Sequence, residues 1–235
     1  GSEMCIRDRC SFLFGQNPLF QKLLQILNKN GKSPFPIVWI TNNSNSYSSG
    51  DIGIYIFAIK NSFVELIHHE NKIIGSKYID NDGIHVFLGN IKPDRIEDNE
   101  PEQTLEVFKK IENLLNANDM SMTNIVRTWF FNRNILSWYD KFNKVRTDFY
   151  LRKNIFKNTL PASTGVGIIY PSVEKYALLA CVWAFKPTMN KITIKEIESP
   201  LQAPAISYNS SFSRGVKIIT PEYEKLIISG TALSL

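Results

Sequence analysis

One run constrains the fold more than any other. Residues 176–185, YALLACVWAF, are apolar almost without a break, and a strand of that kind is buried on both faces. Around it, 84–88, 125–131 and 165–170 read as further strands, and two segments carry helical periodicity. The first opens at Pro101 and places Leu105, Phe108, Ile111, Leu114 and Leu115 on one side, with charges opposite. The second, 135–149, lines up Trp138, Phe142, Val145 and Phe149. From residue 84 the order is strand, helix, strand, helix, strand, strand. That order predicts an α+β fold, with two helices packed on one face of a mixed sheet.

Before this region, Leu19, Phe20, Leu23, Leu24 and Leu27 predict a helix within 11–30, entered at Asn17-Pro18 and ended by the breakers at 30–34. Strands follow at 36–40, 52–59 and 62–68. The last two read as a hairpin turning at Lys60-Asn61, and 72–79 continues the sheet. After it, 192–197 alternates as a strand, 199–211 is a loop, and 216–219 and 225–228 are strands ending at Ser229-Gly230.

Composition removes several classes. The 235 residues are 43% hydrophobic and 21% charged, too apolar for disorder and too evenly mixed for a fibrous chain. No apolar window nears the roughly 18 residues of a transmembrane helix, so no membrane partner is expected. The net charge is +5, but the nineteen Lys and eight Arg are scattered. Phosphate readers concentrate charge on one face, so nucleic acid is not an expected partner. Cys5 and Cys10 lack the further Cys or His of a zinc site, and His68, His69 and His85 lack metal spacing with acids, so no metal is expected. Cys181 reads as a reduced core residue of a cytoplasmic protein. No dinucleotide-binding glycine motif, P-loop or nucleophile elbow is present. Residues 1–10, GSEMCIRDRC, have neither a hydrophobic period nor signal-peptide order. They are similar to a translated sequencing adapter, as is the final Leu233-Ser234-Leu235, and both are set aside as outside the fold.

Residues 123–167, TNIVRTWFFNRNILSWYDKFNKVRTDFYLRKNIFKNTLPASTGVG, resemble the RidA (YjgF/YER057c/UK114) superfamily. There a VVRTxxYL-type strand leads to a helix with an FNxxR-like stretch, then to LPAxT and a strand. RTWFF, YDKFNKVR and LPASTGVG, with SPLQAPAISYNSSFSRG at 199–215 and SGTA at 229–232, narrow the resemblance to the chorismatases, which look like two such modules fused in tandem. It covers 84–232. It implies a RidA-like, chorismate-mutase-like fold in 84–198, an N-terminal segment of helix and strands in 11–83, and a linker with the start of a truncated second module in 199–235. The implied activity is release of pyruvate from chorismate, giving a dihydroxy-cyclohexadiene carboxylate or a hydroxybenzoate, with no cofactor and in a trimer-like homo-oligomer. The family's acid, a Glu shortly after SGTA, would fall beyond Leu235, so the resemblance implies a chain without turnover. The alternative is a relative that binds a small carboxylated metabolite, or an enamine/imine deaminase. Deaminases of the superfamily carry an Arg directly after LPA; Ser163 stands there in this chain.

Seven residues are candidates for the site. Arg214 offers a planar fork suited to a bidentate grip on a carboxylate; its plainer role is a surface pair with solvent or Glu222. Tyr139 and Arg146 are seven apart and share a helix face. The resemblance has Arg146 bind a second carboxylate and Tyr139 donate a hydrogen bond, whereas an ordinary amphipathic helix would let the Arg snorkel outward. Arg127 shares a strand face with Trp129 and Phe131. It lines a site wall or forms an ion pair with an acid from the helix at 101–115. Ser163 and Thr164 offer hydroxyls beside Gly165, or simply turn the chain into a strand. Ala232 lines a pocket floor or packs as an ordinary strand residue.

Overall fold

The structure, a computed structural model, describes residues 7–14, 36–40, 53–59, 62–168 and 176–230. Three strands come first: β1 (Arg7–Phe14), β2 (Ile37–Ile40) and β3 (Gly53–Ile59). They form a sheet in the order β2-β1-β3, with β1 parallel to β2 and antiparallel to β3. Two expectations change here. Arg7–Cys10, set aside above, lie within β1, and Ser11–Phe14 extend that strand rather than begin a helix. A short apolar run is ambiguous between the two states until its pairing partners are known. The helical spacing from Leu19 to Leu27 lies outside the described residues.

A six-stranded mixed sheet follows, in the order β4-β5-β6-β9-β7-β8. It comprises β4 (Val64–His69), β5 (Lys72–Ile79), β6 (Gly83–Ile91), β7 (Ile125–Arg133), β8 (Ala162–Ile168) and β9 (Leu178–Pro187). Only β7 and β8 pair in parallel. The expected hairpin between 52–59 and 62–68 does not form. β3 pairs with β1, whereas β4 pairs with β5 across Glu70 and Asn71, both at positive φ as a tight two-residue turn requires. Alternation along a strand says which face is buried but not which neighbour is hydrogen-bonded. The sheet thus takes in 64–79, which sequence grouped with the N-terminal strands.

Two helices, α1 (Glu100–Asn116) and α2 (Tyr139–Arg152), lie on one face. Asn99 caps α1 through its side chain, and Glu102 reaches back to the Asn99 N–H, completing a capping box just before Pro101. Val107, Phe108, Ile111 and Leu115 of α1 and Phe142, Phe149 and Tyr150 of α2 pack on Val86, Leu88, Phe130, Ala180 and Val182 of the sheet. Tyr78, Phe87, Phe131, Leu179, Cys181 and Trp183 form a second core on the opposite face. It is shared with Val38 and Ile40 and with Val216, Ile218 and Ile227. β9 is second-layered on both sides, which accounts for its unbroken apolar run. The architecture is therefore α+β, a mixed sheet with two helices on one face.

The segment expected to be helical from residue 135 begins later. Asn134 adopts a left-handed conformation, Ile135–Ser137 make a 3-10 turn, and α2 starts only at Tyr139. Trp138 anchors this turn by donating its indole N–H to the Arg133 carbonyl at 2.7 Å. Three final strands, β10 (Thr193–Ile197), β11 (Gly215–Ile219) and β12 (Glu224–Ile228), make an antiparallel sheet in that order.

Candidate functional site

The parallel edge strand β8 carries LPASTGVG, and its alternation decides what each residue can reach. Ser163, Gly165 and Gly167 point to the face occupied by α2, while Thr164 points to the other. On the α2 side lies a cleft of about 690 Å³. Its floor is β8 and Gly230, one wall is α2 with the turn at Ile135, and the opposite wall is the segment from Leu201 to Arg214. Gly165 keeps the floor open: a Cβ built there meets no atom within 4 Å.

The C-terminal segment is tied to β8 by polar contacts. Ser213 N donates to the Pro161 carbonyl at 3.0 Å, and Ser213 bridges Ala162 in parallel. Ser163 N donates to Ser229 Oγ at 2.8 Å, and that hydroxyl donates to the Ser213 carbonyl at 2.6 Å. Gly230 N donates to Thr164 Oγ1 at 3.0 Å. From α2, the Thr147 and Ser211 hydroxyls meet at 2.6 Å. The cleft is thus walled by residues far apart in sequence but joined by hydrogen bonds through short side chains.

Two guanidiniums face this cleft. Arg146 is 2% exposed. One of its terminal nitrogens donates to Asn143 Oδ1 at 2.6 Å, and its Nε has no hydrogen-bond partner among the described residues. Its carbon lies over the rings of Phe142 at 5.1 Å and Phe212 at 5.4 Å. Burial holds this guanidinium below its ordinary range, opposed by the oxygens of Tyr150, Tyr139 and Tyr208; no carboxylate contributes. A buried cation surrounded by aromatic rings and hydroxyls, without an acid, is an unusual and costly arrangement. Arg214 is half-buried and donates twice to the Ala203 carbonyl, from Nε at 3.1 Å and from a terminal nitrogen at 2.6 Å. It does not pair with Glu222. Its carbon lies 5.6 Å from the Phe212 ring, so both guanidiniums contact that one ring and stand within about 11 Å of each other.

Of the seven candidates, Arg146, Arg214, Tyr139 and Ser163 line this one cleft. Ser163 Oγ accepts from Thr128 Oγ1 at 2.8 Å. Thr164 lies behind the floor, where its hydroxyl accepts from Arg127 and from Gly230. Arg127 shares its face with Trp129, as strand alternation required, and its carbon lies 4.9 Å from that ring. This is the sheet face away from α1, so the ion pair with an acid of that helix is not formed: the Glu side chains of α1 are on the far side of the sheet. Arg127 does not line the cleft. Ala232 lies outside the described residues. Sequence reasoning missed Leu136, Leu201, Gln202, Tyr208 and Phe212. Leu201, Gln202, Tyr208 and Phe212 all belong to the stretch 199–215 that carries Arg214, which was their only signal.

Among the described residues, no group of three or more His, Cys, Asp or Glu is placed to hold a metal. The described lining of the cleft contains no carboxyl, imidazole or thiol. No helix among the described residues is long and apolar enough to cross a membrane.

No family model matches the chain, and no curated protein matches it. Solved structures do. TdcF from E. coli with bound serine is 17% identical, over 46% of this chain and 84% of that one, with a TM-score of 0.40. A Mycobacterium tuberculosis member of the YjgF/YER057c/UK114 family is 15% identical over 45% of this chain and 85% of its own, with a TM-score of 0.37. A YjgF family member from Neisseria meningitidis is 16% identical over 53% and 95%, with a TM-score of 0.41.

Proposed function

We propose that this chain is a RidA-like protein whose cleft binds a small carboxylated metabolite. The observation that carries the reading is Arg146, a buried guanidinium that, among the described residues, has no acid beside it and no partner for its Nε. A bound carboxylate supplies the missing counter-charge, and a charge-assisted hydrogen bond of this kind contributes about 1.5–3 kcal/mol. Ser163, with its hydroxyl on the cleft face, adds a neutral partner.

Chorismate is the finer candidate. It is supported by the motif resemblance and by the second cation, Arg214, since two guanidiniums suit a dicarboxylate. Its cleavage would need an acid from outside the described residues. The β10–β12 sheet fits the same reading as the opening of a second module. The test is calorimetric titration with pyruvate and with chorismate, alongside a coupled assay for pyruvate release. Saturable binding that Arg146→Met weakens, and that Gly165→Leu abolishes by filling the floor, is the expected result. Pyruvate release would promote the chorismatase reading. An affinity indifferent to both substitutions would remove the cleft from consideration.

A further inference from the structure

The buried polar groups of the cleft, Arg146 and Ser163, lie among the buried rings of Phe142 and Phe212. At the mouth stand two leucines that line the same cleft yet are almost wholly exposed, Leu136 at 96% and Leu201 at 90%. Each is placed by a specific backbone feature. The left-handed Asn134 and the 3-10 turn Ile135–Ser137 project Leu136 from one wall. The loop whose Ala203 carbonyl accepts two bonds from Arg214 carries Leu201 on the other. Tyr208, also exposed, lines the same cleft.

Size points the same way. About 690 Å³ is the liquid volume of roughly twenty waters, several times what an acid of three carbons displaces. A carboxylate held at Arg146 therefore leaves the outer cleft to whatever is attached to it. Leucines held in water at the rim of a ligand cleft gain only when an apolar group covers them.

We propose that the ligand is an amphiphilic carboxylate: its acid group sits at Arg146 and an alkyl or aryl substituent runs outward between Leu136 and Leu201. This rests on the carboxylate reading of the cleft and adds the class of acid it selects. The apolar part, not the acid, then sets the ranking among carboxylates.

The experiment is titration of the full chain with straight-chain carboxylates from acetate to octanoate, with hexanol as the uncharged control. Wild type should bind each longer acid about fourfold more tightly per methylene, until the mouth is filled. Hexanol should bind at least tenfold more weakly than hexanoate. In Leu136→Ser/Leu201→Ser the short acids keep their affinity while the gain per methylene falls below twofold. Both sites are solvent-facing, so the variant folds, and its unfolding midpoint checks this. Short acids that bind without any dependence on length would overturn the inference and leave the carboxylate reading standing. Absence of binding by every acid would overturn both. Self-association of wild type that the double serine variant abolishes, seen by sedimentation velocity, would assign the leucines to a second copy of the chain and overturn the inference as well.

Discussion

Replacing Arg146 with Met tests the site through a pair of effects that point in different directions. Taking a guanidinium out of water costs several kcal/mol. Against that stand the hydrogen bond to Asn143 Oδ1, about 1.5–3 kcal/mol for a charged donor, and the two ring contacts, about 1–2 kcal/mol each when desolvated. These terms nearly cancel in the ligand-free chain. Met keeps the apolar stem between Phe142 and Phe212 but strands the buried Asn143 oxygen, at about 1–3 kcal/mol. The single variant should therefore destabilise the fold by no more than about 3 kcal/mol. Arg146→Met/Asn143→Leu, which leaves no stranded oxygen, should be at least as stable as wild type. Affinity for a carboxylate should nonetheless fall roughly 10- to 150-fold, the loss of one charge-assisted bond. Urea unfolding followed by tryptophan fluorescence and titration calorimetry measure the two halves. A destabilisation above about 3 kcal/mol is the cost of breaking a cation already paired within the fold, and would refute the reasoning. So would unchanged affinity.

Other expectations concern the scaffold. Burial pushes the Tyr150 hydroxyl up to about 12, against the pull of Arg146, and burial with a hydrogen bond to Asp82 takes Tyr223 to about 12 as well. Both groups keep their protons longer folded than unfolded. Their contribution is complete below pH 10 and is lost as pH rises towards 12, which alkaline unfolding with tyrosinate absorbance would show. In Arg146→Met the Tyr150 titration should move higher still, and a lower value would contradict the cation's assigned influence. Asn99→Ala removes the capping box of α1 and should cost about 1 kcal/mol in urea unfolding; a neutral result would mean the cap is replaced by solvent. Gly165→Leu should close the cleft with little change in unfolding, because a Cβ there meets nothing within 4 Å.

Much of this was legible in local chemistry. The helix at Glu100–Asn116 was announced by Pro101 and its apolar stripe, and β9 by its unbroken apolar run. Arg146 and Ser163 were singled out by motif and are brought to one cleft. Pairing was not legible. Alternation in 52–59 and 62–68 was read correctly as two strands and wrongly as one hairpin, because each strand found its partner elsewhere. Arg127 was placed on the right face of its strand, but only the layering of the sheet shows that this face is turned away from α1.

What the sequence determined by itself was which residues must be covered and which carry charge: an α+β chain with two amphipathic helices and a strand apolar on both faces. That follows from periodicity, a property of neighbours along the chain. Tertiary structure alone decided that Phe212 contacts both Arg146 and Arg214, that no acid among the described residues reaches Arg146, and that Leu136 and Leu201 line one cleft. Those facts join positions up to 68 residues apart, and no local pattern specifies them, because hydrogen bonding and burial select partners only once the layers have closed.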